Sequence, residues 1–264
     1  MTGWEAFILG LIQGLTEFLP VSSSGHLEIG NVLLGVQTSE NLLFAVVVHA
    51  ATALSTILVF RKDILVIIVD LLEFKWNEST QFVSKIIVSM IPVGVVGVFF
   101  ESEIEAFFSG NMILVGSMLL ITAGLLFLTH YSKGTSGDVS FGKALIVGFA
   151  QAFAILPGIS RSGSTIATAL LLGVDRSKAA RFSFLMVLIP ILGASLLKLK
   201  DYLETPGMGS SISSVSLIIG FLSAFIAGLV ACQWMINLVK KGKLTYFAYY
   251  CAAVGLIAIV ATLL

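Results

Sequence analysis

The stretch Gln13-Gly14-Leu15-Thr16-Glu17-Phe18-Leu19-Pro20-Val21-Ser22-Ser23-Ser24-Gly25-His26 sets an acid, a proline, three serines, a glycine and an imidazole into an otherwise apolar run. A second stretch, Pro157-Gly158-Ile159-Ser160-Arg161-Ser162-Gly163-Ser164-Thr165, breaks another apolar run in the same way, with Ser22 and Ser160 standing 138 positions apart. In hydrocarbon every unpaired backbone N–H or C=O is costly, so irregular backbone survives there only where it is buried in protein or lines a wet cavity. The two breaks therefore mark a site. An acid, an imidazole and a guanidinium within the membrane point to chemistry on an anion.

The rest of the chain supports a membrane setting. Mean hydropathy is +1.03, with 57% hydrophobic and 11% charged residues, far from the composition of a soluble domain. The 264 residues fit a single membrane domain, 1–264, with nothing left for a soluble module. A formal net charge of zero removes the electrostatic basis for a nucleic-acid partner. Cys232 and Cys251 fall in apolar runs and read as small core residues. The start, Met1-Thr2-Gly3-Trp4-Glu5, lacks a basic region, which argues against a cleaved signal peptide.

Apolar runs long enough to span fall near residues 42–60, 84–100, 111–130, 182–199, 215–238 and 245–263. Segments 3–35 and 143–174 are each split near the middle, by Pro20 or Pro157 and then the Ser/Gly turn. Their halves hold about 12 to 17 residues, short of the roughly 20 needed to cross, so each reads as a re-entrant helix-turn-helix hairpin. With six spans, one side collects twelve of the fifteen Lys and Arg residues, from Arg61 to Lys243, while the other holds only Lys198 and Lys200. The basic side is assigned to the cytoplasm, which puts both termini and the mouth of the first hairpin outside.

The halves also match residue by residue at the 138 offset: Gly10 with Gly148, Gln13 with Gln151, Gly35 with Gly173, Phe44 with Phe182, and Lys62-Asp63 with Lys200-Asp201. Three spans lie between equivalent points, and an odd number turns the second half over. The expected fold is an all-α polytopic membrane protein, an inverted-topology repeat of six transmembrane helices and two re-entrant hairpins. Residues 1–131 form the first repeat and 143–264 the second, inverted one, joined by the polar, Gly-rich Ser132 to Gly142.

In the second break, hydroxyl and small residues precede an apolar helix, so its first N–H groups and positive dipole end make an anion site. Arg161 adds a planar fork able to grip phosphate in two places. The competing reading is an ordinary Ser N-cap beside a snorkelling Arg. In the first break Gln13 and Glu17 lie four apart and share a helix face toward Ser23 and His26. A carboxylate there can hold a divalent cation or take a proton, the hydroxyl can attack phosphorus, and the imidazole can carry protons. His49, mid-span, reads as a bonder between helices, and His130 as interfacial. Glu101, Glu103 and Glu105 read as a solvated outer cluster, Asp175 as a helix cap and Asp138 as polar loop.

Taken together, Gln13-x-x-x-Glu17, Pro20 to His26 and Pro157 to Thr165 resemble the bacterial undecaprenyl-diphosphate phosphatase family of the bacitracin-resistance type, over essentially the whole chain. The resemblance implies a plasma-membrane enzyme that hydrolyses undecaprenyl diphosphate to undecaprenyl phosphate and inorganic phosphate, recycling the lipid carrier of wall synthesis. It also implies bacitracin resistance and a divalent cation, Mg²⁺ or Ca²⁺. The expected catalytic residues are Glu17, Ser23, His26 and Arg161, with Glu17 on the metal. Gln13, Ser24, Ser160, Ser162, Gly163, Ser164 and Thr165 are expected against the substrate. Whether Ser23, His26 or water attacks is left open, as is self-association into a homodimer. The other reading is a carrier or flippase that binds a phosphorylated prenyl lipid without cleaving it. One departure stands out: Gln13 occupies a position where that family often has Glu, so Glu17 lacks a second carboxylate beside it.

Overall fold

Thr2 starts the first helix, α1 (Gly3–Phe18). Its hydroxyl accepts from the Glu5 N–H at 3.3 Å while the Glu5 carboxylate accepts from the Thr2 N–H at 2.7 Å, a reciprocal cap. The helix stops at Leu19, which is extended (φ −68°, ψ 143°), as sterics demand of a residue before proline. After the Pro20–Ser22 turn the chain re-enters a helix, α2 (Ser23–Leu34), which ends on Gly35 in the left-handed region. There follow α3 (Leu42–Val59), α4 (Arg61–Leu72), α5 (Glu78–Phe99) and α6 (Met112–Leu128). The second break lies between α7 (Phe141–Phe153) and α8 (Arg161–Leu171), after which come α9 (Arg176–Met186), α10 (Leu188–Glu204), α11 (Ser214–Lys240) and α12 (Thr245–Leu263). The computed structural model describes residues 1–36, 42–100, 103–104, 107, 111–132, 136–204 and 212–263. Lys133, Glu101 and Glu105 lie outside the described residues.

Among the described residues five helical stretches are long and apolar enough to cross a membrane, and a bent pair makes up to six. The protein is an all-α polytopic membrane protein. Two of the spans are interrupted rather than uniform. The run 42–60 forms α3, and after Phe60 the chain turns by 76° into α4. Leu65, Val66, Val69 and Leu72 on α4 are exposed and suit contact with lipid rather than water. The run 182–199 is not one uniform helix either. It belongs to an apolar stretch that begins at Arg176 and comprises α9 and α10, separated at Val187.

Helices pack in exchanged pairs. The first arm of the first hairpin, α1, lies against α11, whereas the first arm of the second, α7, lies against α5. Gly10 and Gly148, equivalent at the 138 offset, make these approaches close: a Cβ on either would collide with partner backbone, at Gly220 and Ser89 respectively. Helices α6 and α12 pack on each other, with Gly116 and Gly255 face to face. Each hairpin is thus held by a long helix of the opposite half, and this brings the breaks together. Beneath them the rings of Phe18, Phe60 and Phe184 cluster, with Phe18 and Phe184 centroids 5.9 Å apart.

The joint between the halves is anchored. Gly137 bridges Val174, its carbonyl accepts from the Asp175 N–H at 2.8 Å, and Asp175 caps α9 as expected. Asp138 is more than loose loop, because the Lys178 ammonium donates to its carboxylate and holds it below the usual carboxylate range.

Candidate active site

Both breaks are built from hydroxyl caps that also reach across to the other break. Ser22, at φ 70°, occupies a backbone region that non-glycine residues seldom adopt. Its hydroxyl caps α2 by accepting from the Gly25 N–H and also accepts from the Gly158 N–H, each at 3.2 Å. Ser160 caps α8 by accepting from the Gly163 N–H at 3.0 Å. Ser162 donates to the Leu19 carbonyl at 3.1 Å, so each hairpin closes the other's free backbone. The approach leaves room only for glycine at two points. A Cβ at Gly25 would stand 3.1 Å from the Gly158 Cα, and Gly158 itself takes φ +101°.

At this junction lies the Glu17 carboxylate, its side chain 4% exposed. One oxygen, Oε2, accepts from Gln13 Nε2 at 2.9 Å and from the Ser23 hydroxyl at 2.6 Å. The other, Oε1, accepts from Nη2 of Arg161, which arrives from the opposite hairpin. Gln13, Glu17, Ser23 and Arg161, expected from sequence to share a site, do meet. The Arg161 side chain is a quarter exposed, so the guanidinium bonds the buried acid while part of it stays accessible. His49 stands within electrostatic reach of Glu17. Its Nδ1 lies 2.8 Å from the Ala45 carbonyl of its own helix, and among the described residues no bond joins it to another helix.

His26 sits on the first turn of α2. Its Nδ1 lies 2.9 Å from the Ser22 carbonyl and its Nε2 lies 2.9 Å from the Tyr250 hydroxyl. The remaining candidates face the protein. Ser24 Oγ lies 3.3 Å from Ser22 Oγ, and Ser160 Oγ the same distance from Ser162 Oγ. Gly163 packs on Pro20, and Thr165 donates to the Arg161 carbonyl at 2.8 Å and pairs with Ser183 at 2.6 Å. Ser164 Oγ is buried and finds no partner among the described residues. The hydroxyls of Ser160, Ser162 and Thr165 thus shape the junction, and Arg161 is the group of the second break that reaches outward.

Sequence reasoning missed three members. Thr122 on α6 braces the second break, accepting from the Ser160 N–H and donating to the Gly158 carbonyl, each at 3.0 Å. Ser183 pins Thr165, and Tyr250 on α12 pairs with His26. Their only signal was a polar group in an apolar run.

A divalent cation suits this donor set in part. Gln13 Oε1 is buried without a partner among the described residues, beside the Glu17 carboxylate. No group of three or more His, Cys, Asp or Glu gathers among the described residues. The chain therefore offers one carboxylate and one amide oxygen, a set that suits an ion completing its shell with phosphate and water, as Mg²⁺ commonly does.

Residues 6–257 match the family described as bacitracin resistance protein BacA. A Christiangramia forsetii protein named undecaprenyl-diphosphatase is 57% identical, over 97% of each chain. Proteins of that name from Bacteroides fragilis and Bacteroides thetaiotaomicron are each 54% identical, over 98% and 100% of both chains respectively. With matches of this extent across both breaks and all the helices around them, the chain belongs to the bacitracin resistance protein BacA family.

Proposed function

We propose that this protein hydrolyses undecaprenyl diphosphate to undecaprenyl phosphate and inorganic phosphate. It would thereby recycle the carrier of wall synthesis and confer bacitracin resistance by depleting the diphosphate. The observation that carries the reading is the Glu17 carboxylate, which holds a hydroxyl, an amide and a guanidinium from two hairpins within the membrane. The names of its relatives support the choice of substrate.

In this reading Arg161 and the N-terminal end of α8 hold the diphosphate. Ser23 Oγ attacks the terminal phosphorus as its proton passes to Glu17, and undecaprenyl phosphate leaves with the P–O electron pair. Water then cleaves the phosphoserine, with His26 taking its proton. A cation bound by Glu17 and Gln13 would supply charge neutralisation on the phosphate oxygens.

Purified protein given undecaprenyl or farnesyl diphosphate with Mg²⁺ should release one inorganic phosphate per lipid. Binding or transbilayer movement without release would instead make it a carrier.

The two repeats, 1–131 and 143–264, are proposed to be inverted, with the cavity opening outward so that phosphate leaves on the periplasmic or extracellular side. On a background lacking Cys232 and Cys251, a cysteine at position 26 should react with a membrane-impermeant thiol reagent in intact cells, and one at 177 should not. The opposite pattern would place hydrolysis in the cytoplasm.

A further inference from the structure

The hydrogen bonds of His26 determine its tautomer. A carbonyl oxygen only accepts, so the contact at 2.9 Å to the Ser22 carbonyl requires the proton on Nδ1. In the neutral ring Nε2 then carries a lone pair, and the Tyr250 hydroxyl, 2.9 Å away, must donate to it. The rings are nearly parallel, 12° apart with centroids at 5.6 Å, so the phenol also restrains the plane of the imidazole. Both nitrogens are thus occupied by the protein. Tyr250 is 45% exposed, so this chain of bonds runs from the Ser22 carbonyl through the part-buried imidazole to an accessible side chain.

From this we propose that Tyr250 is a catalytic residue, the proton relay between His26 and the water that attacks. The proposal rests on the reading of His26 as the base in hydrolysis. As the water oxygen bonds to phosphorus, its proton passes to the Tyr250 oxygen and the phenolic proton passes to Nε2. The Ser23 oxygen departs with the electron pair of the P–O bond that breaks and takes back the proton that Glu17 accepted when the phosphoserine formed. The imidazole ends as imidazolium, held by the Ser22 carbonyl, and the tyrosine ends neutral as it began. A relay of this kind also accounts for an exposed aromatic at this position being tyrosine, since phenylalanine would keep the stacking and lose the proton path.

Tyr250→Phe should lower kcat by about tenfold to a hundredfold, within the range of general acid–base effects, and leave KM close to wild type because Arg161 still holds the phosphates. In a His26→Ala background the same substitution should cost nothing further, since the two act as one unit. Independently of turnover, ¹⁵N spectra of histidine-labelled wild-type protein should show His26 protonated on Nδ1 with a hydrogen-bonded, unprotonated Nε2, and Tyr250→Phe should move the Nε2 resonance. A proton on Nε2 with Nδ1 bare in the wild type would overturn the relay even if the variant failed to fold. An unchanged kcat in Tyr250→Phe, with His26→Ala inactive, would overturn the relay and leave His26 as the base. Full activity in His26→Ala would instead remove the underlying reading.

Discussion

Arg161→Ala loses at least about a hundredfold in turnover while the protein still inserts and folds. The guanidinium has two duties at once: one nitrogen bonds the buried Glu17 carboxylate, and the exposed part of the fork is free for phosphate. Removing a group that stabilises developing charge on a phosphoryl oxygen costs roughly 3 kcal/mol or more, which is that hundredfold. The fold survives because Glu17 keeps its bonds from Gln13 and Ser23, and the cross-links Ser22–Gly158 and Ser162–Leu19 do not involve the side chain of Arg161. Arg161→Lys retains the charge and should recover part of the activity, but an ammonium cannot span two phosphate oxygens in one plane. Phosphate release from farnesyl diphosphate measures the loss, and elution of the detergent-solubilised variant at the wild-type volume shows the fold intact. Turnover near wild type in Arg161→Ala would remove the centre of the proposed mechanism.

The meeting of the two breaks was legible from sequence for a physical reason. Hydrocarbon penalises free backbone so heavily that Ser22 to Gly25 and Ser160 to Gly163 could not be idle turns, and the internal match at equivalent glycines tied one to the other. What sequence could not reveal depends on contacts between distant segments. Thr122 and Ser183 are single hydroxyls inside apolar helices, and such groups commonly bond a carbonyl of their own helix, as Thr56 does with Thr52. Nothing local distinguishes them. Tyr250 gave no local sign of its role, because its partner His26 lies 224 positions away. The bend into α4 was hidden by composition, since Arg61 and Lys62 after an apolar run are what a membrane boundary looks like. The hydroxyls of the second break were legible as a cluster but not in their orientation: protein bonds compete for the groups that an anion would use, and in this structure they win, by a helix cap at Ser160, a bond to the other hairpin at Ser162, and bonds to Arg161 and Ser183 at Thr165.

Glu17→Gln should be nearly inactive and should lose its response to added Mg²⁺ or Ca²⁺. The substitution is almost isosteric, so the effect comes from hydrogen-bond polarity. Glu17 accepts on both oxygens, from Arg161 on one and from Gln13 and Ser23 on the other. Glutamine offers one accepting oxygen and an NH₂ group that only donates. If the NH₂ faces Arg161, two donors meet and the guanidinium is displaced from its seat. If it faces Ser23 and Gln13, the serine must turn its proton elsewhere and the amide of Gln13 meets another amide. Either arrangement leaves a buried donor without an acceptor, at about 1 to 3 kcal/mol, and both remove the negative charge that orients Arg161, takes the Ser23 proton and holds a cation. Gln13→Glu is the contrasting case. It places a second carboxylate where the Gln13 oxygen, without a partner among the described residues, now lies, and a divalent ion shared between the two acids offsets their repulsion, so activity should persist with a stronger dependence on metal. A titration of phosphate release against Mg²⁺, run for wild type and both variants, separates these outcomes. Should Glu17→Gln retain the wild-type rate and the wild-type metal curve, Glu17 would be a structural acid bonding two hairpins together, and the chemistry would have to be sought at His26.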